Sequence, residues 1–146
     1  MHLAFNMFGL YIFGRPVARA LGTGHLLHLY VVGAIMASLG HVAFGLATGD
    51  ATPALGASGA VMALAVVFAA LHPDTTILVG FFLPMPAWAA VAGFILLDVV
   101  GTFSPGSSIA HAAHLGGAAY GLLFWYIKLR QPPRPRFRKG TYGTRL

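Results

Sequence analysis

Gly56-Ala57-Ser58-Gly59 places a small hydroxyl at the first turn of an otherwise apolar segment. A serine at a helix N-terminus lies beside backbone N–H groups that have no helical carbonyl partner, and those groups can receive a developing oxyanion. Gly56 and Gly59 on either side let a substrate backbone come close. The chemistry this suits is acyl transfer from an activated serine. The plain alternative for small residues before a helix is an N-cap, so the meaning of Ser58 depends on what the rest of the chain brings to it.

A general base is available in Ala113-His114-Leu115-Gly116-Gly117. Gly117 and Gly121 form a small-residue stripe that lets their helix approach another closely, and Ser58, Gly59 and Ala60 offer an equally small surface. If those two helices meet, the His114 imidazole reaches the Ser58 hydroxyl and can take its proton. His111 reads as a solvent-wetted histidine at a loop end, with a donor role behind His114 as the alternative. His2 and Asn6, four residues apart, share a helical face and can both donate hydrogen bonds. They suit either an oxyanion or a polar contact between helices. His25 and His28 read as interface residues, and His41 has no evident role. Asp98 is the only candidate for a third member of a triad, and the reading is a Ser58–His114 dyad without it. A metal is not expected, because there is no HExxH pattern and Asp50, Asp74 and Asp98 are not spaced from a histidine as ligands.

The elements that must position these residues are set by composition. In 146 residues, 58% are hydrophobic and 8% charged, with a mean hydropathy of +0.78. Such a chain belongs in a bilayer. It has no cysteine, which removes disulfides and thiolate metal sites. The net charge of +6 comes from Arg15, Arg19 and the residues from Lys128 onward. That distribution fits membrane orientation, and no basic aromatic face suggests nucleic acid.

Five apolar segments follow in order. Residues 3–13 form the first, closed by Gly14-Arg15-Pro16 with a helical continuation to about residue 21. Residues 25–47 form the second, of the length a bilayer needs. Residues 48–57 are a loop. Residues 58–71 form a third helix, too short to cross a hydrocarbon layer of ~30 Å. A fourth span, 77–97, is expected to be kinked by Pro84 and Pro86, with a loop over 98–109. The fifth runs from 110 to about 129, and the basic, proline-rich residues 130–146 are expected to be a disordered tail. Open sheets cannot satisfy their backbone in lipid, so the expected fold is an all-α membrane bundle. Five crossings bring His2, the start of the Ser58 helix, Asp98, His111 and His114 to one membrane face, opposite most of the positive charge.

The blocks His2-Leu-Ala-Phe-Asn6, Gly56-Ala-Ser58-Gly59, and Ala113-His114-Leu-Gly-Gly117 with Gly121 resemble the three signatures of rhomboid intramembrane serine proteases, in the family's order. Residues 55–62, 82–85 and 111–117 are similar in wording to the mitochondrial, presenilin-associated rhomboid-like branch. The resemblance covers residues 1–129. It implies Ser58 as nucleophile, His114 as general base, and His2, Asn6 and the Ser58 backbone N–H as oxyanion hole, supported by Gly56, Gly59, Gly117 and Gly121. It implies transmembrane-helix protein substrates, with the kinked span at 77–97 and the loop at 98–109 as the lateral gate and cap through which they enter, a lipid bilayer as the medium, and no cofactor or metal. The mitochondrial inner membrane is the implied location, with a bacterial plasma membrane as the alternative. A rhomboid core has six spans and the first would precede His2, so about five are expected here and the chain reads as N-terminally incomplete. The rival function is a non-catalytic rhomboid-like protein, or inactive fragment, that binds transmembrane helices.

Overall fold

The computed structural model describes residues 2–49, 53, 57–104 and 110–130. Asp50, Gly56 and the basic tail, each singled out in the sequence, lie outside the described residues. The described elements are α1 (His2–Gly9), a π-helical turn (Leu10–Gly14), α2 (Arg15–Leu21), α3 (Thr23–Thr48), α4 (Ser58–Leu71), β1 (Thr76–Val79), β2 (Leu83–Pro86), α5 (Ala87–Thr102), α6 (His111–Phe124) and a second π-helical turn (Trp125–Leu129).

The first span is one rod from residue 2 to residue 21. It does not stop at Gly14-Arg15-Pro16. Pro16 has no N–H for the carbonyl one turn back, and the turn before it widens to the π form, so the chain continues. The rod ends at Gly22, whose φ of 89° is open to glycine at no steric cost. Helix α3 has 26 residues and is long and apolar enough to cross a membrane. It ends on Gly49 in the left-handed conformation of a helix C-cap.

Helix α4 is the axis of the bundle. Its 14 residues rise only about 21 Å, as the sequence implies, and nine of them are buried. A helix apolar all round is buried all round. Here α3, α5, α6, α1, α2 and the first π-helical turn all pack on α4. The core consists of Leu29, Leu64, Val67, Phe68, Val91, Tyr120 and Phe124 with small residues between them. The outer faces carry exposed Leu27, Ile35, Leu39 and Leu46 on α3 and Leu96, Leu97 and Val100 on α5, an apolar periphery suited to lipid.

The expected kinked span at 77–97 is not a helix throughout. Residues 76–79 and 83–86 form an antiparallel hairpin, with Leu78 opposite Pro84 and Thr76 opposite Pro86. Two alternate prolines push Leu83 and Met85 into extended backbone and delete two donors, which two-stranded pairing tolerates and a helix does not. Thr76, Ile77 and Val79 add β-branched side chains to the partner strand. The hairpin turns at Gly80 and Phe81, both at positive φ, and the Phe81 ring packs 5.6 Å from that of Phe8. Helix α5 starts directly after Pro86. Its first amides are satisfied from the preceding loop, Ala87 N–H by the Thr75 carbonyl at 2.9 Å and Trp88 N–H by that of Pro73 at 3.2 Å. The helix then runs to residue 102, through the stretch expected to begin a loop, and carries Asp98 with it.

Candidate functional site

Ser58 is the first residue of α4, and its side chain makes no capping bond; the N-cap position is Ala57. The Ser58 Oγ lies instead 2.8 Å from Nε2 of His114, 56 residues away. The plain N-cap reading is thereby overturned. Backbone approach makes the contact possible. A Cβ on Gly117 would collide with the Gly59 carbonyl oxygen, and one on Gly121 would stand 2.7 Å from the Ala63 carbonyl oxygen. Gly59 is in turn pressed against Ala37 and the Ala113 carbonyl, and Gly40 against Ala112 and Gly116. The small-residue stripe of α6 therefore meets α4 as expected. Helix α3 contributes a third small face, through Gly33, Ala37 and Gly40, that the sequence reading missed.

Asp98 corrects the dyad. It is 5% exposed on α5, and its Oδ1 accepts a hydrogen bond from His114 Nδ1 at 2.9 Å. A carboxylate only accepts, so the His114 proton sits on Nδ1 and the Nε2 lone pair faces the serine. That is the tautomer a general base needs. Serine, histidine and carboxylate thus stand in line, each on a different helix.

His111 is corrected as well. It is not a solvent-wetted loop residue: its Nδ1 donates to the same Asp98 Oδ1 at 2.7 Å, and its side chain is 13% exposed. His111 and His114, three apart at the start of α6, both face α5. Gly101, one turn after Asp98, makes room for His111, since a Cβ there would strike its ring. The signal available in the sequence was a lone acid inside a long apolar stretch, with glycine three residues on. The expected helix over 77–97 ends at that acid, whereas α5 spans Ala87–Thr102 and carries it inside.

Asn6 is buried and His2 is exposed. Asn6 Nδ2 donates to the His2 carbonyl at 2.9 Å and stands 3.5 Å from His2 Nε2, so the two share a face as their spacing predicts. Gly9 abuts Val61 and the Phe13 ring packs 5.4 Å from that of Phe68, so the first rod runs parallel to α4. Asn6, three residues before Gly9, lies on the part of that rod that packs on α4. His28 pairs with Tyr120, Nε2 to Oη at 2.7 Å, as an interface residue should.

Along the chain no carboxylate is spaced from a histidine as a ligand, and the fold overturns that ground for expecting no metal site. The ligand atoms of Asp98, His111 and His114 lie within 4.8 Å of one another. Chemically the arrangement offers a serine hydroxyl aligned on an imidazole, a buried carboxylate behind it, and a second imidazole on that carboxylate.

The fold and site define a helical membrane bundle with a serine–histidine–carboxylate array at one end of its central helix. Residues 1–131 match the Rhomboid domain, and the chain belongs to the rhomboid family. It is 37% identical to RHOMBOID-like protein 12, mitochondrial, of Arabidopsis thaliana, over 97% of this chain and 44% of that protein. It is 37% identical to Rhomboid protein 1, mitochondrial, of Saccharomyces cerevisiae, over 86% of this chain and 38% of the relative. Against the human presenilin-associated rhomboid-like protein, mitochondrial, identity is 32% over 86% of this chain and 33% of the relative. The chain thus spans less than half the length of these relatives, and the branch they represent is the one its motifs resemble. No solved structure matches it.

Proposed function

We propose that this chain is the catalytic membrane domain of an intramembrane serine endopeptidase that cleaves transmembrane segments of other membrane proteins. The observation that carries the reading is the 2.8 Å contact of Ser58 Oγ with a His114 imidazole whose other nitrogen is held by Asp98. In the reaction, His114 Nε2 takes the Ser58 proton as Oγ attacks the scissile carbonyl, and Asp98 stabilises the imidazolium that forms. The tetrahedral oxyanion is received by the Ser58 backbone N–H, which as a first-turn amide has no carbonyl partner within α4, together with donors from His2 and Asn6. The imidazolium then protonates the leaving amine, the acyl-enzyme remains on Ser58, and a water activated by His114 releases the carboxylate product. Asp98 is a positioning residue in this scheme, and His111 supports it through the shared oxygen.

The substrate class follows from the position of the serine. Helix α4 is too short to reach both membrane faces, so Ser58 is suited to a peptide bond near the membrane surface in a locally unwound helix. The names of the relatives support a mitochondrial membrane, and we assign the chain as a multi-pass protein of the inner membrane. Labelling by a fluorescent fluorophosphonate in detergent or liposomes tests the reading. Wild-type chain should be labelled and Ser58→Ala should not, and the wild type should then cleave a transmembrane substrate. A folded chain that takes no label would replace this reading with non-catalytic binding of transmembrane helices.

A further inference from the structure

The carboxylate that orients His114 is shared. Asp98 Oδ1 accepts from His114 Nδ1 at 2.9 Å and from His111 Nδ1 at 2.7 Å, and the three side chains are 7%, 18% and 13% exposed for Asp98, His114 and His111. Acyl transfer needs one imidazole on that oxygen. A second, converging at the same distance, completes a different donor set: one carboxylate oxygen and two imidazole nitrogens, borderline ligands suited to Zn²⁺ and similar ions. We propose that Asp98, His111 and His114 form a divalent transition-metal site whose occupancy switches the serine off. The inhibitory half rests on the reading of Ser58 and His114 as nucleophile and base, whereas binding of the ion does not.

The movement required is local to the three side chains. With Zn–N and Zn–O distances of about 2.0–2.2 Å and tetrahedral angles, neighbouring ligand atoms lie about 3.3 Å apart. The separations of 2.7 and 2.9 Å open by roughly half an ångström to admit the ion, and the two imidazole nitrogens, within 4.8 Å of each other, draw in by up to about 1.5 Å. His111 is the first residue of α6, where a helix end yields most readily.

The sign of the effect follows from proton positions. Without metal, each neutral imidazole carries its proton on Nδ1, because the carboxylate can only accept. Coordination uses the Nδ1 lone pair, so the proton of each ring moves to Nε2, and no proton is gained or lost. On His114 that places N–H where the lone pair had been. The ring now donates to Ser58 Oγ and cannot take its proton. The ion also neutralises the Asp98 charge that would have stabilised an imidazolium. The serine is silenced although the metal does not touch it. Mg²⁺ and Ca²⁺, which prefer all-oxygen shells, should not substitute.

The test uses Ser58→Ala for binding and wild type for activity, both in detergent micelles. Ser58→Ala keeps all three ligands, so titration calorimetry with Zn²⁺ should show one saturable ion per chain. Co²⁺ should give the visible absorption of a low-coordinate nitrogen–oxygen site, bleached by Zn²⁺, which reads the ligand set without substituting any of the three. His111→Gln and Asp98→Asn, added to Ser58→Ala, should each weaken Zn²⁺ at least about tenfold, and His72→Gln should leave it unchanged. Fluorophosphonate labelling of the wild type should fall over the Zn²⁺ range that saturates the site, recover with a chelator and ignore Mg²⁺. No saturable binding and no cobalt spectrum, or equal Zn²⁺ affinity in all variants, would overturn the site. Saturated binding with undiminished labelling would overturn the inhibition. A metal-free wild type that does not label at all would take the inhibitory half down with the protease reading, and the titration alone would then decide the site.

Discussion

Replacing Gly117 by alanine sets two effects against each other, and the structure decides the sign. In the interior of α6 the exchange removes a flexible residue, which by helix propensity alone favours the folded state by about 1 kcal/mol. The new methyl, however, would overlap the Gly59 carbonyl oxygen and stand 2.7 Å from its carbon and 3.1 Å from the Gly59 Cα. Carbon atoms in ordinary contact need about 3.5–4.0 Å, so α6 must back away from α4 by roughly 1 Å. Both groups are backbone, and neither can rotate aside. Overpacking of this kind costs about 1–3 kcal/mol, which exceeds the propensity gain. The consequence for the site is larger. His114 is one turn away on the same helix, and a 1 Å retreat stretches its 2.8 Å contact with Ser58 to about 3.8 Å, beyond hydrogen-bond reach. Misplacement of a reacting pair by that much lowers rates about 100-fold. Thermal unfolding in detergent and the rate of fluorophosphonate labelling read the two effects separately. Gly93→Ala on α5, where a Cβ meets nothing within 4 Å, is the control and should stabilise by about 0.5–1 kcal/mol with labelling unchanged. A Gly117→Ala protein that melts no lower than wild type and labels at the same rate would refute the close approach of α4 and α6 as the device that builds the site.

Asp98→Asn should lower labelling and cleavage by about 100-fold or more while the chain stays folded, because an amide cannot stabilise the imidazolium as a carboxylate does. Wild-type rates in that variant would return the site to a serine–histidine pair. Tyr120→Phe removes the partner of His28 between α3 and α6 and should cost about 1 kcal/mol in thermal unfolding with labelling unchanged. A fall in labelling without loss of stability would give that pair a part in the chemistry.

Much of the molecule was written locally. Apolar runs of fixed length gave α3 and α4, with α4 bounded at Ser58 and Leu71 as expected. The stripe of Gly117 and Gly121 showed which face of α6 would lie against small residues, and His114 stands on it for the same periodic reason. The spacing of His2 and Asn6 placed both on one face. These features depend on neighbours within a turn or two, and a chain in lipid has few other ways to satisfy its backbone.

Tertiary structure decided the rest. Pro84 and Pro86 could break a helix or build a strand, and the pairing of residues 83–86 with residues 76–79 chose the strand. That choice moved the start of the next helix to Ala87, which carried Asp98 out of a supposed loop and into a buried position facing α6. His111 changed meaning with it, from an end-of-loop residue to a partner of the same carboxylate. Sequence periodicity orders residues along one element. Whether an acid on α5 meets two imidazoles on α6 depends on how the helices pack, and that is set by backbone contact among glycines and alanines on three elements far apart in the chain.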